Sequence, residues 1–108
     1  MADEFAGALV ERVAIETWVA ARDDNGADVG AWQGARQRLA AIEPEGGGSS
    51  EGEARRSRRR WRVTLRQPAE VSLTSRLRWN DQLLAVLAVE RDPRRRDRLV
   101  LRCEAREP

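Results

Sequence analysis

Arg60-Trp61-Arg62-Val63-Thr64-Leu65-Arg66 alternates without a break. Trp61, Val63 and Leu65 share one face, and Arg60, Arg62, Thr64 and Arg66 share the other. This period of two predicts a half-buried β-strand. The aliphatic stems of the arginines can lie along neighbouring apolar surface while their heads stay wet. Immediately upstream runs Ala54-Arg55-Arg56-Ser57-Arg58-Arg59, preceded by Gly46-Gly47-Gly48-Ser49-Ser50. Glycine and serine in such density pack no core. Residues 45–59 are therefore expected to form a long, flexible, positively charged loop fastened to a firm strand. No phosphate-cradling G-x-x-x-x-G-K-[ST] or G-x-G-x-x-G occurs in it.

Downstream, residues 67–75 form a connection that opens at Pro68. Arg76-Leu77-Arg78-Trp79 alternates, Asn80-Asp81 makes a tight turn, and residues 82–90 follow as the second arm of a hairpin. That arm is apolar on both faces, which predicts cover on both sides. Leu83, Leu87 and Val89 are expected in the core; Leu84 and Val86, with Ala88, are expected to meet a neighbouring element or subunit. Residues 91–97 form a turn with Asp92-Pro93 and three consecutive arginines. A last strand alternates Leu99, Leu101 and Cys103 against Arg98, Val100, Arg102 and Glu104. Cys103 then reads as a small core residue.

Upstream, residues 1–8 read as a loose lead. A first strand over about 11–21 places Val13, Ile15, Thr17, Val19 and Ala21 on one face. Trp18 falls on the other, either covered by a loop or, if exposed, a contact for a neighbour. Residues 22–28 form a turn rich in Asp, Asn and Gly. Its three carboxylates resemble a calcium loop, but the glycine comes early and no glutamate closes it, so a solvated turn is the better reading. Trp32, Ala35, Leu39 and Ile42 have helical spacing, while a strand over about 36–43 fits as well.

At 108 residues the chain has room for one domain with one small core. No apolar run is long enough for a membrane span. The acidic N-terminus carries no signal-peptide pattern, which predicts synthesis in the cytosol. One cysteine and no histidine exclude an internal disulfide and leave a zinc site unsupported. All 20 basic residues are arginine. Residues 1–53 carry net −7 and residues 54–108 net +9. Such polarity suits stacking between unlike partners. Five or six short strands with hairpin links predict a mainly β fold, a small antiparallel β-barrel. No nucleophile–base pair or metal cluster is evident, so no catalytic residues and no cofactor are assigned, and the chain is not read as an enzyme.

A series of motifs resembles one family. Leu9-x-x-Arg12-Val13-x-Ile15, Asp23-x-x-Gly26, Trp32, Ala40-Ala41-Ile42-Glu43-Pro44, the Arg60–Arg66 strand, Arg76-Leu77-Arg78-Trp79, Leu84-x-Val86-x-x-Val89, Asp92-Pro93 and Leu99-x-Leu101-x-Cys103-Glu104 run in order over residues 9–104. Together they resemble the phage head-tail joining proteins, also called head completion, head closure or stopper proteins. Three places depart from the pattern: Leu39 stands where a tryptophan is usual, Asn80-Asp81 replaces a glycine hairpin, and Leu73-Thr74-Ser75-Arg76 lacks the usual Pro or Gly.

The resemblance implies a connector barrel that assembles as a homo-oligomeric ring. The ring sits at the neck of a virion or gene transfer agent particle, built in the bacterial cytoplasm. A portal and adaptor ring lie on its head side, tail terminator and tail proteins on the other, and packaged double-stranded DNA in the channel; no membrane is involved. It also favours the strand over 36–43. Within that frame Arg55, Arg56, Arg58 and Arg59 are the candidate DNA-facing or channel-facing residues, since arginine neutralises phosphate without a base code. Contact with another subunit, or a plain solvated charge run, are the other readings of this loop. The alternative for the whole chain is a free-standing OB-type single-stranded nucleic-acid-binding barrel, with Trp61 and Trp79 as stacking platforms.

Overall fold

Six strands close on themselves in a computed structural model that describes residues 4–45 and 59–106. They are β1 (Glu11–Val19), β2 (Ala31–Pro44), β3 (Arg60–Arg66), β4 (Ser75–Trp79), β5 (Gln82–Glu90) and β6 (Arg98–Arg106). The order around the barrel is β1-β2-β3-β6-β5-β4, and β4 pairs with β1 to close it. Every pairing is antiparallel. Closure leaves no free edge to template aggregation.

β3 has the expected alternation. Val63 and Leu65 are fully buried and Arg60, Arg62 and Arg66 are exposed. They meet Val13, Ile15, Ala40, Leu77, Leu84, Leu99, Leu101 and Cys103 in one core. Cys103 is wholly buried as expected, and burial, reinforced by the charge of Glu45, pushes its thiol up to about 12.

The segment with helical spacing is the strand β2. Its apolar residues split between faces: Trp32 and Leu39 are exposed, whereas Ala40 is buried and Ile42 packs on the core. Register explains the misleading period. Ile15 pairs with Arg36 but Thr17 pairs with Gln33, so β2 carries an extra residue there. Gly34, at φ 79°, supplies the left-handed conformation such a bulge needs. β1 ends at Val19, which is exposed, so the inward face expected to continue through Val19 and Ala21 stops earlier.

β5 corrects the face assignment. Leu84 and Val86, expected as neighbour contacts, are buried in the barrel, and Leu87, expected in the core, is 40% exposed. The cause is a bulge on β5: Val86 pairs with Cys103, and Ala88 with the adjacent Arg102. Leu87 is the extra residue, and the bulge reverses the phase. After it Val89 faces inward and packs on the core, as expected; Leu83 is half-buried on the outer side. The N-terminal lead also departs from a loose chain. Glu4–Ala8 is one helical turn whose Phe5 is buried beneath the Arg98 guanidinium, 3.9 Å from its ring centroid.

The hairpin turn holds Asn80 at φ 48° and Asp81 at φ 64°. Two positive φ values give the type I′ geometry that matches strand twist.

Antiparallel pairing throughout sets the two ends. β1, β3 and β5 run one way and β2, β4 and β6 the other. Connections 20–30, 67–74 and 91–97 therefore share one end of the barrel. Pro44 and Arg60, which segment 45–59 joins, lie at the opposite end with the turn 80–81.

Candidate functional site

The barrel interior is filled by the side chains of the core. Among the described residues no three His, Cys, Asp or Glu side chains group as a metal site, and no helix is long and apolar enough to cross a membrane. An open concavity of about 660 Å³ lies beside the β2 bulge, lined among others by Ile15, Gln33, Arg36 and Glu70. The Asp23 carboxylate in turn 22–28 accepts from the backbone N–H groups of Asn25 and Ala27, both at 2.9 Å, which makes it part of the turn itself.

Of the arginines singled out in segment 45–59, Arg55, Arg56 and Arg58 lie outside the described residues. Arg59 is exposed where the chain enters β3. Its carbonyl accepts from Ala105 N–H at 2.8 Å, and its guanidinium lies 5.4 Å from the Trp61 ring centroid. Arg60 accepts likewise from Glu45 N–H at 3.0 Å. The root of the segment is thus tied to β6 and to the end of β2.

Trp18 stays at the surface, 37% exposed, and meets the directly opposite Trp32 edge to face at 5.4 Å. Arg76 lies over the Trp32 ring, 4.2 Å from its centroid. Glu16 anchors that arginine: its Oε1 accepts from Arg76 Nε at 2.7 Å and from Arg78 Nε at 3.1 Å. Burial pushes the Glu16 carboxyl up, but the two guanidinium groups outweigh it and hold it below its ordinary value. Exposed Val19, the next residue of β1, falls on the opposite face, where it lines the concavity with Ile15 and Thr17. Leu84 and Val86 have no part in the aromatic surface, because they are core.

Trp61 and Trp79 do not form an open platform. Their rings meet edge to face at 4.8 Å, both pack on the core, and Trp61 Nε1 is buried. Base stacking needs a free ring face.

Sequence reasoning passed over one cluster. Register places Arg62 directly opposite Arg102 and Arg66 directly opposite Arg98 on β3 and β6. Like charges in such positions repel. Arg102 is offset by Glu45, whose Oε1 lies 2.6 Å from Nη2. Beyond these strands, turn 91–97 exposes Arg91, Arg94, Arg95 and Arg96. The run of arginines was legible; its convergence with Arg66 and Arg98 needed the β3–β6 register.

The sequence signature of phage head completion proteins matches residues 6–106. The chain belongs to that family. This head completion protein therefore has a structural role in a phage-type head. Its barrel is similar to the solution structure of protein SF1141 from Shigella flexneri 2a, at 21% identity and a TM-score of 0.68, covering 92% of this chain and 94% of that one. It is also similar to a chain in the virion of a native gene transfer agent particle, at 19% identity and a TM-score of 0.65, covering 86% and 90%. At these identities the likeness is one of fold. No curated protein matches the chain.

Proposed function

We propose that this head completion protein forms a ring at the neck of a tailed-phage-like particle, between the portal and adaptor on one side and the tail on the other. In this reading the ring retains packaged double-stranded DNA and offers the surface to which the tail attaches. The family match across residues 6–106 carries the proposal. The barrel geometry supports it: a closed sheet leaves the outer faces and the two ends for neighbours, and the exposed Trp18–Trp32 pair is an aromatic contact of the kind enriched at interfaces. Segment 45–59 supplies Arg55, Arg56, Arg58 and Arg59, whose charge suits a DNA-filled channel. Like-charged segments converging in one ring repel unless an anion lies between them, and DNA phosphate is that anion. The competing OB-type reading loses its platform with the packing of Trp61 on Trp79.

The test replaces Arg55, Arg56, Arg58 and Arg59 by serine and counts DNA-filled, tailed particles. The core is untouched, so the domain still folds. Heads that lose DNA or fail to take tails are expected. Fully packed, tailed particles at normal yield, with the variant present in the neck, overturn the role given to these arginines. Deletion of the whole protein tests the neck role itself, which falls if tailed, filled particles still form.

A further inference from the structure

We infer that turn 91–97 is a second contact for the phosphate backbone of double-stranded DNA, at the end of the barrel opposite Glu45 and Arg59. The inference rests on the neck reading above and extends it to a surface on which that reading does not depend.

The turn is built to hold arginines outward. Asp92 Oδ1 accepts from Arg94 N–H at 2.9 Å, and the Asp92 carbonyl accepts from Arg95 N–H at 2.9 Å. Gln67 N–H donates to the Asp97 carbonyl at 2.8 Å, pinning the turn to the end of β3. Both carboxylates of the turn are engaged locally: Asp92 on its own backbone, and Asp97 with Arg98, Nε to Oδ1 at 3.1 Å. Neither forms an ion pair with Arg91, Arg94, Arg95 or Arg96 among the described residues, and with four arginines against two aspartates residues 91–97 keep a net +2. Arg91, Arg96 and Arg98 converge on an open concavity of about 330 Å³ beside Gln67.

The character of the surface selects the partner. A protein interface is organised around buried aromatic or aliphatic anchors. Pro93 is the one apolar residue in this turn. Contact with a phosphate backbone needs no such anchor; it needs clustered cations on a backbone that does not move. Arginine also suits phosphate geometrically, because its fork presents paired donors.

The test is nuclear magnetic resonance titration of the full chain with a short mixed-sequence DNA duplex, first at low and then at rising salt. Shifts are expected to centre on residues 91–98 and 66–67. The triple variant R94S/R95S/R96S is expected to keep the dispersed spectrum of a folded barrel, bind the duplex more weakly and lower the salt slope by about 1 per arginine removed. The corresponding triple lysine variant should retain most of the binding, since a point charge still neutralises phosphate. Shifts that map elsewhere, or a serine variant with unchanged affinity and slope, overturn the inference. So does a polyglutamate peptide of matched charge that perturbs the turn when the duplex does not, which assigns the surface to an acidic protein. Normal particle completion with no duplex binding by the turn removes this inference alone. Loss of the neck role is read separately, from particles lacking the whole protein.

Discussion

Trp79 closes the barrel wall by two contacts at once: its ring meets Trp61 edge to face at 4.8 Å, and its Nε1–H donates to Glu11 Oε1 at 3.0 Å. The second contact reaches the start of β1 from the end of β4, so one side chain joins the hairpin to the strand that completes closure. Replacing Trp79 by Phe keeps much of the packing and removes the hydrogen bond, at a cost of about 1–2 kcal/mol. Trp79→Ala also removes the ring and is expected to cost about 3–5 kcal/mol. Chemical denaturation should rank the two variants in that order. Affinity for single-stranded DNA should be unchanged in Trp79→Phe, whereas an OB-type platform would lose affinity with the indole.

The β5 bulge makes a prediction about two adjacent-looking leucines. Leu84 is fully buried and Leu87 is 40% exposed, although both belong to one apolar run. Leu84→Ala should cost about 2–5 kcal/mol through lost burial and a cavity. Leu87→Ser should fall within about 0.5 kcal/mol of the parent, as surface changes do. Equal losses of stability in the two variants would show that the bulge is misplaced.

These two leucines also show what a sequence can and cannot disclose. β3 was legible because its alternation is uninterrupted, and the last strand for the same reason. The shared period failed on β5 and β2, where a bulge changes the phase, since a bulge belongs to the pairing of two strands and has no fixed mark on either. Gly34 was the local clue on β2, but glycine alone does not distinguish a bulge from a turn. Phe5 was missed because a five-residue helix has too little periodicity to register. At the surface, Trp18 is 37% exposed where the sequence left loop cover or exposure open, and the arginines of segment 45–59 stand as a proposal. The Arg66–Arg98 register is a property of the β3–β6 pairing, so the sequence alone marks residues 91–97 only as a turn.

Glu16 gives the barrel a pH dependence. Its carboxyl lies below the ordinary value in the folded state because Arg76 and Arg78 favour the anion more strongly than burial opposes it. A depressed folded pKa means that the unfolded chain binds the proton more readily. The associated stability is complete above the ordinary carboxylate range and is lost as pH falls through the lower folded value. Melting temperature measured across that acid range should fall less in Glu16→Gln than in the parent, the two curves converging at the acid end. Parallel curves would show that the Arg76–Glu16–Arg78 fork contributes nothing to stability. The same variant replaces the anion 2.7 Å from Arg76 by a neutral amide, which weakens the hold on that guanidinium, so the indole N–H resonance of Trp32, which Arg76 covers, should shift at neutral pH.

Gly30 controls where the exposed tryptophan pair stands. A Cβ at this position would lie 2.5 Å from Trp18 Cζ2, 2.7 Å from its Cε2 and 2.8 Å from the Val19 carbonyl oxygen. The φ of Gly30 is not in the left-handed region, so the need for glycine is one of space. Two obstacles decide the outcome of Gly30→Ala. The Trp18 ring can swing away, but the Val19 carbonyl is backbone at the end of β1 and moves only with the strand. Overpacking of this kind costs about 1–3 kcal/mol. The expected result is a modestly destabilised barrel whose Trp18 and Trp32 indole N–H resonances shift while those of Trp61 and Trp79 stay in place. If the proposed neighbour contact uses Trp18, tail joining should fall further than stability alone accounts for. Trp18→Ala provides the comparison, because it relieves the clash and deletes the contact. Unchanged indole resonances in Gly30→Ala would mean that Trp18 does not rest on this glycine. Normal tail joining in Trp18→Ala would remove the residue from the neck interface.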